Sequence, residues 1–281
     1  MKVLVTGAQG LVGSEVSDYC TSIGDTVLGY DHAGLDITNR ERVRQTLINN
    51  TPDAVINCAA WTDVDGCESD KERAYAVNAD GPENLAAASR DSNAAFVTIS
   101  TDYVFDGRKD GFYTESDTPN PQSIYAASKL AGEIQARKVN PQTVVVRTGF
   151  VFGPRGNNFL STVIDRARRG DRLTVIGDAY GTPTYSKDLA IRLRELAERN
   201  VAGIYHAVNG GPGVSFEEFT RAALALSGCE SVDVVAVSME SLGRPAKRPR
   251  NSRLRSINSS ALGLPSLRDW HEALTDFVSH C

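Results

Sequence analysis

The chain opens Met1-Lys2-Val3-Leu4-Val5-Thr6-Gly7-Ala8-Gln9-Gly10-Leu11-Val12-Gly13, and this stretch decides the fold. Lys2 to Thr6 is a short apolar, β-branched run, the pattern of a buried strand. It breaks into G-x-x-G-x-x-G, after which a helix is expected to about Thr21. Glycines at that spacing allow a tight turn and let a phosphate approach the backbone. The helix start then offers free N–H groups and a partial positive charge. An ordinary strand-to-helix turn does not ask for three spaced glycines.

Working outward, the same unit repeats. Strands are expected at Thr26–Asp31, Ala54–Cys58, Ala94–Ser100 and Thr143–Arg147. Helices are expected between them: Thr38, with Glu41 three residues on, reads as a capping box for a helix to about Asn49. Trp61 to Ser69 reads as an acidic loop, Lys71 to Ser89 as one long helix, and Gln122 to Arg137 as another after Pro119-Asn120-Pro121. Alternating β and α elements mark an α/β fold with a doubly wound parallel sheet. Beyond Arg155 the alternation becomes irregular. Residues 1–150 are expected to form a dinucleotide-binding domain of the Rossmann type, with a returning part around 186–209. Residues 151–281 are expected to be mainly a smaller mixed α/β substrate domain.

Composition narrows the function. The chain has 281 residues, 41% of them hydrophobic, and a net charge of −5. That supports a real core and does not suggest nucleic-acid binding. No apolar run is long enough to span a bilayer, and the N-terminus lacks a signal-peptide layout, so a cytoplasmic protein is expected. The five cysteines, Cys20, Cys58, Cys67, Cys229 and Cys281, are scattered and read as reduced thiols. The four histidines do not cluster at metal-ligand spacing.

Tyr125-Ala126-Ala127-Ser128-Lys129 carries the candidate chemistry. On a helix, residues four apart share a face. A free tyrosine titrates near pH ~10, and a fixed ammonium one turn away is expected to lower that value and poise the phenol for acid/base work. The fourth strand empties into Ser100-Thr101-Asp102-Tyr103, where a parallel sheet binds ligands, so Thr101 is placed to hydrogen-bond a substrate oxygen. Asp31 lies 18 residues past the last glycine, near the ~20 expected of an acid that bonds an adenosine ribose. A carboxylate there repels a 2′-phosphate, which favours NADH over NADPH; the alternative is a strand-end turn residue. Six basic residues fall between Arg244 and Arg255, matching either a diphosphate partner or a solvated basic loop.

These motifs together are similar to the extended short-chain dehydrogenase/reductases. More narrowly, Ser-Thr-Asp-Tyr-Val-Phe-Asp-Gly (100–107), Gly-Thr-Pro-Thr (181–184) and Arg-Pro-Ala-Lys-Arg-Pro-Arg-Asn-Ser-Arg-Leu (244–254) resemble the dTDP-4-dehydrorhamnose reductase family. The resemblance implies NADH- or NADPH-dependent reduction of the C4 ketone of dTDP-4-dehydro-L-rhamnose. It implies that Tyr125 donates the proton while Lys129 holds the nicotinamide ribose. Thr101, Asp102, Phe150 and Arg248 would meet the nucleotide sugar. Gly7, Gly10, Leu11, Val12 and Gly13 would line the pyrophosphate. Asp31, Asp36, Ile37, Ala59, Ala60 and Trp61 would line the adenosine, with Tyr103 beside the cofactor. Family members often carry tryptophan where this chain has Phe150. Some hold magnesium through acids at a homodimer contact, where Glu15 stands in a compatible place; no metal ligand is assigned.

Two other readings remain. Dehydratases resembling this chain place an Asp-Glu pair after the threonine, whereas here Asp102 is followed by Tyr103; epimerases share the frame. A regulatory subunit like that of methionine adenosyltransferase resembles the same reductases but acts as a binding partner.

Overall fold

The computed structural model describes residues 1–156 and 158–280; Cys281, read above as a reduced thiol, lies outside them. Six parallel strands form the central sheet: β1 (Lys2–Thr6), β2 (Thr26–Tyr30), β3 (Ala54–Asn57), β4 (Ala95–Thr101), β5 (Val144–Thr148) and β6 (Gly203–His206). Their spatial order is β6-β5-β4-β3-β1-β2. The chain therefore runs outward from β1 to β2, then starts again on the other side of β1 with β3. Above that reversal the connecting loops part and leave a crevice.

Both faces of the sheet are covered, so its strands are almost continuously apolar. Successive side chains alternate between two cores. Val3 and Val5 join Val16 and Cys20 of α1 (Leu11–Ser22) and Leu189 and Leu193 of α8 (Ser186–Arg199). Leu4 points the other way, towards Leu47 of α2 (Arg40–Asn50), Leu85 of α5 (Gly81–Asp91) and Ala136 of α6 (Ile124–Val139).

Three local expectations are corrected. Asn39, not Thr38, caps α2, accepting the Arg42 N–H; Thr38 instead donates its hydroxyl to Asp36. The stretch read as a loop contains a short helix, α3 (Val64–Ser69), capped by Asp63. The helix expected over Lys71–Ser89 is α4 (Lys71–Tyr75), a π-helical turn (Ala76–Asp80) and α5. The wider turn brings the Asn78 carbonyl against Gly132 of α6, where a Cβ would collide with it.

The irregular C-terminal part gathers α7 (Phe159–Arg168), α9 (Phe216–Leu226) and a last helix, Trp270–Ser279, round Phe152, Tyr185, Phe219, Trp270 and Phe277. A short parallel pair, Leu173–Ile176 with Val234–Val237, packs beside them.

Candidate active site

The glycine turn builds the first wall. Gly7 adopts φ +64°, and its carbonyl accepts the Gly10 N–H at 2.9 Å. A Cβ on Gly13 would strike that same Gly7 carbonyl oxygen, so the third glycine lets α1 sit close on the turn. Gly10 is the N-cap of α1 and has no side chain with which to cap it. The amides of Leu11, Val12 and Gly13 are thus left for a ligand.

Two cavities meet over this turn. One, of about 440 Å³, contains Asp31, Asp36, Ile37 and Trp61; Gly7 also lines it. Asp31 accepts the Gly34 N–H at 2.8 Å. Burial pushes the Asp36 carboxyl up, but hydrogen bonds from the Thr38 hydroxyl and amide outweigh it and hold the group below its ordinary value. The other cavity, of about 560 Å³, contains Thr101, Asp102, Tyr125, Lys129 and Phe150, with Leu11, Val12 and Gly13 at one end. Gly10, Cys58, Ala59 and Ala60 border both. The result is one groove across the carboxyl ends of β1, β3 and β4, the place where a doubly wound sheet holds an extended dinucleotide. The small residues after β3 and the close-packed glycines leave room for it, so the chain fits such a cofactor.

The Tyr125–Lys129 pair is present, but its electrostatics differ from expectation. Both side chains are buried, at 8% and 5% exposure. Burial drives the Tyr125 phenol well above its ordinary value, and the neighbouring Thr101 hydroxyl only partly opposes this. The Lys129 ammonium does not turn to the phenol. It donates to the Ile99 carbonyl of β4 at 2.7 Å. Its own pKa falls to about 8, because burial outweighs the nearby Glu133 carboxylate. Desolvation, not the ammonium, therefore governs the phenol.

Glu133, one turn beyond Lys129, forms a buried ion pair with Arg147 of β5 at 2.7 Å and also accepts the Ser100 hydroxyl. This ties α6 to the ends of β4 and β5. Beside it Asp102 is fully buried; burial raises its pKa to about 6, and Oδ2 has no partner among the described residues. The Thr101 hydroxyl donates to its other oxygen at 3.1 Å.

Phe150 stands at φ +45°, an uncommon backbone for a bulky side chain. Its ring stacks on Phe216 at 4.0 Å, with Gly181 against its edge. Tyr103 meets Tyr125 edge-on at 6.3 Å, bordering both the reaction cavity and a constriction of about 40 Å³ beyond it. Past the constriction lies a third cavity, about 510 Å³, lined by Arg108, Arg244, Lys247, Arg248 and Arg250. Arg248 borders the constriction as well. Its side chain is only 11% exposed and pairs with Asp65, whereas Arg250 is 56% exposed. The basic stretch is thus partly a built wall and partly solvated.

Sequence reading missed several groups here. Arg73 lies 4.5 Å over the Trp61 ring and, with His32, borders the cavity that contains Asp31. Phe216 and Asp65 come from distant segments and carry no local motif. Glu15 is buried, which raises its pKa, and no group of three or more His, Cys, Asp or Glu among the described residues is arranged to hold a metal ion. No helix is long and apolar enough to cross a membrane among the described residues.

Comparison with known proteins agrees with this geometry. A family model described as RmlD substrate binding domain matches residues 1–281. The dTDP-4-dehydrorhamnose reductase of Mycolicibacterium smegmatis is 40% identical over 281 residues, covering 99% of this chain and 85% of that protein. A crystal structure of a dTDP-4-dehydrorhamnose reductase from Clostridium acetobutylicum superposes with a TM-score of 0.95 at 39% identity, covering 100% of this chain and 99% of that one. The Bacillus anthracis enzyme of the same name, in complex with NADP, gives 0.96 at 35% identity with both chains covered in full.

Proposed function

The chain belongs to the RmlD substrate binding domain family, and on that footing we propose that it reduces the C4 ketone of dTDP-4-dehydro-L-rhamnose to dTDP-L-rhamnose at the expense of NADH or NADPH. The observation that carries the reading is the meeting of Thr101, Tyr125 and Lys129 at one end of a groove that runs across the glycine turn to Asp31. A bound nicotinamide supplies the hydride. The amides of Leu11 to Gly13 hold the pyrophosphate, and Asp31 takes the adenosine ribose. Thr101 orients the ketone oxygen, its one hydroxyl proton turning from Asp102 to that oxygen as charge develops. Tyr125, kept protonated by its burial, donates the proton to that oxygen. Lys129, one helix turn from Tyr125 and held by the Ile99 carbonyl, would bond the nicotinamide ribose. Phe150 and Phe216 give the sugar an apolar wall. Arg248 and the basic cavity beyond meet the diphosphate and nucleoside.

Of the two cofactors, NADH is favoured by the Asp31 carboxylate, which repels a 2′-phosphate. We assign residues 1–150 with 186–209 to cofactor binding and most of 151–281 to the nucleotide sugar. The test is turnover of dTDP-4-dehydrorhamnose followed by loss of reduced-cofactor absorbance. Wild type should consume cofactor in proportion to product. Tyr125→Phe should bind the dinucleotide normally and lose about 10²–10⁴-fold in kcat. Near-normal turnover in that variant defeats the assignment, and product without cofactor consumption points to an epimerase or dehydratase. Co-purification with a synthetase and no turnover on any dTDP-ketosugar points to a regulatory subunit.

A further inference from the structure

Asp65 sits in the first turn of α3, a few residues after the Ala59-Ala60-Trp61 wall of the groove. Its two carboxylate oxygens accept Nη1 and Nη2 of Arg248, each at 2.9 Å, across 183 residues of sequence. The oxygen on Nη1 also accepts the Ala246 N–H at 3.1 Å. One acid thus fixes both a guanidinium and the backbone of the segment that carries it. The Tyr103 ring packs on Tyr125, and its phenol, pushed up by burial, is partly pulled back by the charge of Arg248. Arg248 stands at the constriction between the reaction cavity and the basic cavity.

Counting donors shows what remains. A guanidinium carries five N–H groups in a rigid fork. Arg248 spends two on Asp65 and one on the Ala246 carbonyl. Nε–H and the second Nη2–H stay available on the sides that Asp65 does not cover. A bidentate pair locks the plane of the fork, so those donors point in a set direction. Without the carboxylate, Arg248 would be a long, flexible side chain among Arg244, Lys247 and Arg250, repelled by all three.

We propose that Asp65 is a positioning residue for nucleotide-sugar binding, holding Arg248 across the constriction so that its remaining N–H groups meet the substrate diphosphate. This rests on the function proposed above. It differs from a simple latch, because a latch would compete with the diphosphate and its loss would tighten binding. Two effects oppose each other: removing Asp65 takes away a negative charge that repels the ligand, and it takes away the orientation of the fork. The carboxylate is 34% exposed and so screened by water, whereas Arg248 is 11% exposed. Orientation therefore outweighs repulsion.

The experiment uses Asp65→Asn, Asp65→Glu, Arg248→Lys and the Asp65→Asn/Arg248→Lys double variant. Each is read by steady-state kinetics with dTDP-4-dehydrorhamnose and by calorimetric titration with dTDP. Asp65→Asn should raise KM for the sugar nucleotide and Kd for dTDP by about tenfold, which is ~1.4 kcal/mol. kcat and dinucleotide affinity should stay within about twofold, and Asp65→Glu should recover part of the loss. The double variant should be no worse than Arg248→Lys alone, because the acid acts through the guanidinium. Unchanged or tighter dTDP binding in Asp65→Asn, equal losses in dinucleotide affinity, or additive losses in the double variant would overturn the proposal. So would a wild type that does not bind dTDP. A wild type that binds dTDP but turns over no dTDP-4-dehydrorhamnose sinks the function instead, and the dTDP titrations still decide the role of Asp65.

Discussion

Lys129 shows how far one residue's chemistry follows from its surroundings. In an unfolded chain a lysine keeps its proton to about 10.5; here it is held only to about 8. Below the lower value both states are protonated, and the folded chain carries the whole cost of burying an ammonium. Between the two values the unfolded chain binds more protons, so stability climbs as pH rises from about 8 to 10.5. Lys129→Met should remove this slope. At pH ~7 it should be more stable than wild type by about 1–3 kcal/mol, less about 1 for the orphaned Ile99 carbonyl, and the gap should close above pH ~8. Urea denaturation of the cofactor-free protein across that range checks it. The helical spacing of Tyr125 and Lys129 was legible in the sequence. Their electrostatics were not, because desolvation depends on what the rest of the chain lays over them, and the carbonyl that captures the ammonium belongs to a strand 30 residues away.

Among elements, the π-helical turn was the least legible. Ala76–Asp80 has ordinary helical composition, and nothing in it calls for a wider turn. The cause is tertiary. The Asn78 side chain accepts the Trp61 N–H at 2.9 Å, donates to the Trp61 carbonyl at 3.0 Å and donates to the Ser128 hydroxyl at 3.1 Å. One buried amide thus joins the loop bearing Trp61 to the helix bearing Tyr125. Asn78→Ala leaves the part-buried Trp61 N–H unpaired and its carbonyl with only the Cys67 thiol, and should cost about 1–2 kcal/mol in unfolding free energy. Dinucleotide affinity should fall too, read by fluorescence titration. The Asn39 cap was a nearer miss: both Thr38 and Asn39 can cap, and Asp36 decides between them by taking the Thr38 hydroxyl.

At the scale of the whole molecule, the strand-turn-helix unit at the N-terminus and its repetition gave away the parallel sheet. The glycine and tyrosine motifs then located the groove, since ligands lie at carboxyl ends of strands on either side of the reversal. The far chamber was legible only in its basic stretch with Arg248; Arg108, which lines it too, and Asp65, which pins Arg248, come from distant segments and meet that stretch only once the chain closes on itself. Cofactor choice also belongs to this scale. An Asp31 carboxylate should oppose a 2′-phosphate, whereas Arg73 stands on the same cavity as a cation to receive one. With the acid just past the end of β2, kcat/KM should favour NADH, and Asp31→Ala should shift the ratio towards NADPH by about tenfold, roughly 1.4 kcal/mol. Parallel assays with the two reduced cofactors measure it; a ratio unmoved by the substitution would mean Arg73 decides.

The narrow waist between the two chambers, about 40 Å³, bears on kinetics as well as affinity. A dumbbell-shaped guest with one lobe on each side is not free to slide out lengthwise. Its exit is opposed by the Tyr103, Phe150 and Arg248 side chains that border the waist. The grip that secures arrival therefore also sets the dwell time of the product, and faster exit is obtained only by loosening the hold on what comes next.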